Sequence, residues 1–212
     1  IKSHRNSIGI ELTDRFYNVA VEAIEEETAS QQLSLFSHEN ELGNYKLFKG
    51  DCSEVLKEIS DNNIQLTVTS PPYADLIHKV VEDRTLRHKN SAFVSDNNAT
   101  TNLYSDDERD VGNMPMDVYI KKVEFIMREL YRVTKPGGYN VWVVKDFRDT
   151  KNKIPYVDLH SKIVDAGQKA GFKYHDLIIW DQNQHRKLVL LGYPSVFYVN
   201  QNHSFIVVLR NI

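Results

Sequence analysis

Ile64-Gln65-Leu66-Thr67-Val68-Thr69-Ser70-Pro71-Pro72-Tyr73 joins an apolar, β-branched run directly to a double proline. The first six residues have the length and composition of a buried β-strand, and the prolines stop it. Open α/β sheets bind ligands beyond the carboxyl ends of their strands, so this junction is where chemistry is expected. The two prolines fix φ and remove two amide donors. That leaves the carbonyls of Ser70 and Pro71 as rigid acceptors beside the aromatic face of Tyr73. Acceptors next to a stacking plane suit a planar base bearing an exocyclic amino group. A strand that ends in a rigid turn, with no chemical role, is the competing reading of the same residues.

Outward from this junction the chain alternates short apolar runs with helical periods, an α/β pattern. Residues 7–12 form a strand, and Thr13 or Asp14 caps a helix with Phe16, Val19, Ala20, Ala23 and Ile24 on one face. Polar residues 28–44 make a long connection to a second strand at 45–51, followed by a short helix holding Val55, Leu56 and Ile59. From about Ala74 to Met116 the period is lost among Asn, Asp and Ser, which predicts a long polar loop with a functional or mobile role. Helical spacing returns at Tyr119, Ile120, Val123, Ile126, Met127, Leu130 and Val133. Pro136-Gly137-Gly138 ends that helix and opens a strand at 139–144, and a further helix over 157–170 stops near Gly171. Strands at 177–180 and 205–209 follow, separated by a loop with His185, Arg186 and Lys187, and Trp142 and Trp180 fall in apolar strands as core residues.

Composition narrows the function classes. With 212 residues, 26 Lys plus Arg and 29 Asp plus Glu, the chain is one slightly acidic domain of net charge −3, not a strongly basic nucleic-acid coat. Its single cysteine, Cys52, excludes an internal disulfide framework and a cysteine-cluster zinc site. His160, His175 and His203 share no ligand spacing, so no metal is expected. The absence of an 18-residue apolar run or a signal-peptide pattern leads to an expectation of a soluble, cytoplasmic protein. Arg84, Arg87, His88 and Lys89 form a small basic cluster in the long loop, with Arg109 further on; Asp106, Asp107, Glu108 and Asp110 largely cancel it. That loop reads either as a solvated segment or as a DNA contact ordered on binding, and Arg186-Lys187 is a second candidate phosphate contact.

Ser70-Pro71-Pro72-Tyr73 after a strand resembles the catalytic motif of amino-group DNA methyltransferases, which methylate cytosine N4 or adenine N6 with S-adenosylmethionine. The likeness extends along nearly the whole chain. Residues 5–12 with Phe16, Tyr17 and Ala20 are similar to the family's second strand, and Gly50-Asp51 to its third-strand motif. Residues 129–138 resemble the fourth helix and fifth strand, and Gly192-Tyr193-Pro194-Ser195 with residues 203–210 resemble the closing strands.

The resemblance implies a Rossmann-like class I methyltransferase sheet of order 3-2-1-4-5-7-6. In it Glu11 binds the cofactor ribose and Asp51 its adenine amino group, with Cys52 a small residue beside that site. Residue by residue, Glu11 also reads as a strand-end carboxylate and Asp51 as a helix cap. The resemblance further implies a flipped base stacked on Tyr73, its amino group held by Ser70 and the Pro71 carbonyl. Ser at the first motif position favours cytosine N4 over adenine N6. Carbon-5 cytosine methylation is excluded, because Cys52 lies between Asp51 and Ser53 and not in a Pro-Cys motif. The family's Gly-rich cofactor loop and central first strand belong upstream of residues 8–12, where only seven residues precede. The expectation is therefore a domain completed by an upstream segment or by another chain. Methylation of RNA or of a protein amide, and a cofactor-less DNA-binding subunit, are the alternative readings.

Overall fold

The computed structural model describes residues 5–32, 44–76, 105–149, 152–185 and 201–212. The chain divides into two compact units, Ile1–Ile59 and Ser60–Ile212.

In the first unit, β1 (Ser7–Glu11) and β2 (Tyr45–Lys49) pair in parallel, from Ser7 opposite Tyr45 to Glu11 opposite Lys49. Parallel strands need a crossover, and α1 (Asp14–Gln32) lies on it. Thr13 caps α1 by accepting the Phe16 amide at 3.4 Å. The helix runs past the point where residues 28–44 read as a connection. Thr28 is absorbed into it by donating its hydroxyl to the Ile24 carbonyl at 2.8 Å, so polarity alone did not mark the end. The short helix α2 (Cys52–Glu58) follows β2 directly.

The second unit is built on a four-stranded sheet of order β3-β4-β8-β7: β3 (Ile64–Thr69), β4 (Thr134–Val144), β7 (Lys173–Asp181) and β8 (His203–Arg210). β3 and β4 are parallel, whereas β4–β8 and β8–β7 are antiparallel. Between β3 and β4 runs α3 (Met116–Val133), which buries Tyr119, Val123, Ile126, Met127, Leu130 and Val133, the stripe its spacing predicts. α4 (Leu159–Ala170) packs on α3 and against the sheet, burying Leu159, Ile163, Val164 and Ala166. It stops at Gly171, whose φ of +117° puts it in the left-handed conformation open to glycine. Phe172 then turns into the core and meets Tyr131 edge to face at 5.1 Å.

Two features depart from the sequence reading. A hairpin of β5 (Phe147–Asp149) and β6 (Ile154–Val157) stands between β4 and α4. Three- and four-residue strands, one containing Pro155, are too short to carry a two-residue period. Trp180 is 50% exposed and so is not a core residue, because β7 is an edge strand paired only with β8 among the described residues. Trp142, in the interior strand β4, is buried, and its indole donates to the Asn140 amide oxygen at 2.5 Å. Among the described residues no helix is long and apolar enough to cross a membrane.

Candidate active site

Ser70 follows β3 immediately, at the carboxyl end of a strand whose Thr69 pairs with Trp142 of β4. Both parallel strands therefore deliver their following residues, Ser70–Tyr73 and Lys145–Phe147, to one edge of the sheet. Ser70 is exposed, while Pro71, Pro72 and Tyr73 are half-buried. Ala74, wholly buried, takes a left-handed φ of +51°, and the Leu76 amide donates back to the Tyr73 carbonyl at 3.3 Å. A left-handed alanine costs about 1 kcal/mol, which the surrounding packing has to offset.

Several residues around this motif escaped the sequence reading. Of residues 74–116, expected as a long polar loop, 77–104 lie outside the described residues, and the part from Ser105 onward is held by its own side chains. Asp110 accepts the Gly112 amide at 2.8 Å and the Ser105 hydroxyl at 2.7 Å, and the 3₁₀ turn Val111–Asn113 follows. Gly112 lies against the double proline: a Cβ there would come within 2.9 Å of Pro72 Cβ and 3.1 Å of the Asp110 carboxylate, so only glycine lets the loop close on the motif. Arg109 is engaged locally, pairing with Asp107 at 2.6 Å, and holds that carboxyl at about 2, well below its usual range.

Tyr119, in the first turns of α3, is fully buried, and its hydroxyl has no hydrogen-bond partner among the described residues. Burial pushes this phenol well above its ordinary range, and the nearby Tyr73 phenol adds to the effect. An orphaned buried hydroxyl costs about 1–3 kcal/mol. Tyr119→Phe is therefore expected to raise stability by about 1 kcal/mol, read from urea denaturation. A loss of stability would show that the hydroxyl has a partner.

Phe147, the first residue of β5, faces Tyr73 with ring centroids 6.4 Å apart and planes inclined by 13°. Beside it the buried Asp146 gathers the His160 amide at 3.0 Å, the His160 imidazole Nδ1 at 2.9 Å and the Tyr156 hydroxyl at 3.0 Å. Nδ1 also lies 2.9 Å from Asp158, so it faces carboxylate oxygens and must carry the proton it donates. The ring stacks on Phe205 at 4.0 Å. Sequence spacing pointed to no metal, yet the fold brings Asp146, Asp158 and His160 ligand atoms within 4.8 Å of one another. Their arrangement is that of an imidazole bridging two carboxylates.

In the first unit the ends of β1 and β2 bring Glu11 and Asp51 to one edge, since the Gly50 amide donates to the Glu11 carbonyl at 2.9 Å. Burial raises the Glu11 carboxyl above its ordinary value. Asp51 is buried and caps α2 by accepting the Ser53 amide at 2.8 Å, so the capping role open in the sequence is realised. Cys52 opens α2 and is partly exposed. The candidate DNA contacts Arg84, Arg87, Lys89, Arg186 and Lys187 lie outside the described residues.

Comparison with known proteins bears on both fold and family. The profile of a DNA methylase family, named for N6 and N4 methyl transfer, matches residues 64–211. The chain is 29% identical over 152 residues to the type II beta methyltransferase M.BslI of Bacillus sp. (strain NEB-606), covering 68% of this chain and 13% of that protein. It is 26% identical over 183 residues to the type II methyltransferase M.MjaI of Methanocaldococcus jannaschii, covering 79% and 55%. The chain thus spans about half or less of the length of these relatives.

Among solved structures, the PvuII cytosine-N4-specific DNA methyltransferase matches with a TM-score of 0.51 at 16% identity, over 78% of this chain and 48% of that one. A DNA modification methylase of Thermus thermophilus, complexed with S-adenosyl-L-methionine, matches at 0.50 and 23%, over 76% and 53%. These likenesses show the fold, that of class I methyltransferases. Within the second unit the order β3-β4-β8-β7, with a parallel first pair and two antiparallel pairs, is the 4-5-7-6 part of the expected sheet, and within the first unit β1 and β2 pair in parallel, as expected of its strands two and three. The matched span begins with β3 and takes in the Ser70–Tyr73 junction, the strand that follows it and the closing antiparallel pair, and on that match the chain belongs to the N6/N4 DNA methylase family.

Proposed function

We propose that this chain is the catalytic part of an S-adenosylmethionine-dependent DNA methyltransferase acting on an exocyclic base amino group, cytosine N4 ahead of adenine N6. The observation that carries the reading is Ser70-Pro71-Pro72-Tyr73 at the carboxyl end of β3, inside a span matched by the DNA methylase family. Ser70 as a neutral donor and acceptor, where an aspartate would be a charged acceptor, supports cytosine N4. The type II relatives support a modification role paired with restriction, and a cytoplasmic location is proposed with it.

Tyr73 stacks the flipped base, and the Ser70 hydroxyl and Pro71 carbonyl accept its two amino protons. Those bonds turn the nitrogen lone pair out of the base plane, so the residues act by positioning, without a covalent enzyme intermediate. Glu11 accepts the cofactor's ribose hydroxyls, and Asp51 and Cys52 border its adenine. This donor set fits: a carboxylate already pushed toward protonation by burial gains ionised character from two hydroxyl donors. When bound, the cofactor supplies the methyl group from its sulfonium. Phosphate contacts fall to Arg84, Arg87, Lys89, Arg186 and Lys187.

A strand from an upstream segment or another chain is proposed to pair with β3. β3 has one unpaired edge among the described residues, and its Leu66 and Val68 are 49% and 63% exposed.

Calorimetry of the full-length protein with S-adenosylmethionine tests the cofactor role. Binding is expected, and no binding would overturn the enzyme reading. The sign of the pH dependence follows from Glu11. Ribose hydroxyls donate to its ionised form, so affinity is full above the raised value and falls as pH drops through it, sooner than for an ordinary carboxylate. Stability runs the other way: burial disfavours ionisation, so the Glu11 contribution is lost as pH rises from the unfolded value through the raised one. Glu11→Gln should weaken binding by about tenfold to a hundredfold, two hydrogen bonds to a charged group being at stake, and flatten this pH dependence. An unchanged profile would remove Glu11 from the ribose site.

A further inference from the structure

The peptide that joins Pro71 to Pro72 is planar, and its nitrogen belongs to the Pro72 ring. The Pro71 carbonyl lies in that plane, so whatever fixes the Pro72 ring also fixes the direction of this acceptor. Tyr73 follows on the other side of the same ring and moves with it. The ring rests on Gly112, where a Cβ would fall 2.9 Å from Pro72 Cβ and 3.3 Å from its Cγ. Ordinary carbon contacts begin near 3.4 Å, so a side chain at 112 would push one partner back by about half an ångström. Both proline atoms belong to the ring, which has no side-chain rotation to absorb the push. Glycine is needed here for space and not for conformation, because positive φ among the described glycines is confined to Gly137 and Gly171.

The turn that carries Gly112 is braced. Asp110, 6% exposed, accepts the Gly112 amide at 2.8 Å and the Ser105 hydroxyl at 2.7 Å, and its own amide donates to the Asp107 carbonyl at 3.0 Å. The Asn113 side-chain amide donates to the Ser105 and Asp107 carbonyls at 3.0 and 2.9 Å. Pro115 then leads into α3, and its carbonyl accepts the Tyr119 amide at 2.8 Å. On the motif side the prolines have no amide to anchor them, and the Leu76 amide holds the Tyr73 carbonyl at 3.3 Å. A push at this contact therefore falls on the motif.

We propose that Gly112 is a positioning residue for the target base: its bare Cα seats the Pro72 ring and so aims the Pro71 carbonyl and the Tyr73 ring. This rests on the proposed function, in which that carbonyl accepts an amino proton and that ring stacks the base. Gly112 acts through Pro72 and not by contact with the base. Its effect falls on the chemical step, where a small misplacement of the acceptor is costly. Cofactor binding, proposed for Glu11 and Asp51, does not run through this contact.

The test uses the full-length protein with unmethylated plasmid DNA and labelled S-adenosylmethionine, and compares Gly112→Ala, Asp110→Ala, the double variant and Ile163→Val. Gly112→Ala is expected to lower kcat about tenfold or more, with the KM for DNA and the cofactor affinity near wild type. Asp110→Ala adds no volume but loosens the seat, and a several-fold lower kcat is expected from it even where Gly112→Ala fails to fold. In the double variant the turn is free to draw back from Pro72. It is expected to melt below Gly112→Ala yet to turn over no more slowly, a coupling that lost stability alone does not produce. Ile163→Val removes one methyl group from the α4 core and is expected to lower Tm while keeping kcat. Wild-type kcat in Gly112→Ala would overturn the positioning role and leave the proposed function standing. So would rate losses that multiply in the double variant, or that Ile163→Val reproduces. A wild-type protein that methylates no DNA base would overturn the proposed function, and the positioning role with it.

Discussion

Tyr73→Ala is expected to lower kcat/KM for DNA about tenfold to a hundredfold while the fold and cofactor binding persist. Base–aromatic stacking is worth about 1–3 kcal/mol per base, and in the proposed function the flipped base takes its orientation from this plane. Tyr73 is half-buried and sits at a strand end, not in the sheet interior, so truncating it opens no deep cavity. The buried stripe of α3 and the β4–β8 ladder do not depend on it. Thermal melting and calorimetry with S-adenosylmethionine are therefore expected to match wild type. A variant that melts far below wild type would mean that Tyr73 is chiefly structural. Full retention of activity would place the base elsewhere.

Asp146→Ala is expected to lower stability by about 1–3 kcal/mol in urea denaturation. The Asp146 side chain is 1% exposed, and its carboxylate accepts from three donors on the hairpin and the helix that follow it. Its removal strands the His160 amide and takes one acceptor from the imidazole N–H, which keeps Asp158 at 2.9 Å, and from the hydroxyl of Tyr156, a residue 43% exposed; a buried group left unpaired costs about 1–3 kcal/mol, and less where water reaches it. The hairpin carrying Phe147 then loses its anchor, so activity is expected to fall more steeply than stability alone explains. Asp146→Asn, which keeps one acceptor, is expected to lie between the two. A near-neutral Asp146→Ala would show that the cluster is dispensable to the fold.

The distance of these partners along the chain explains what the sequence could and could not disclose. β3 was legible because a strand in which five of six residues are apolar or β-branched runs through Ser70 into two prolines, and α3 because its stripe of Tyr119, Val123, Met127 and Leu130 keeps helical spacing. The place of Ser70–Tyr73 at the end of β3 was legible for the same local reason. Phe147 and Tyr73 follow different strands, with α3 and β4 between them in the chain, so their near-parallel rings leave no local trace. The same holds for Gly112 on Pro72, which a polar loop composition concealed. Asp146 and His160 are 14 residues apart with a hairpin between them, and the hairpin strands are too short for a period to show.

Trp180 marks the opposite limit. An apolar strand signals a buried face only when the strand has neighbours, and β7 pairs only with β8 among the described residues. Asp51 shows how two readings of one residue coexist: the helix cap is in place, and the cofactor contact remains a proposal resting on the family pattern.

Methyl transfer to an exocyclic amino group of a DNA base is decided by incubating the full-length protein with unmethylated DNA and methyl-labelled S-adenosylmethionine, digesting the DNA to nucleosides and identifying the labelled one. N4-methylcytosine is the result expected. N6-methyladenine would keep the reaction class and reverse the base preference drawn from Ser70. Label in 5-methylcytosine, or none in DNA while the cofactor binds, would contradict the account.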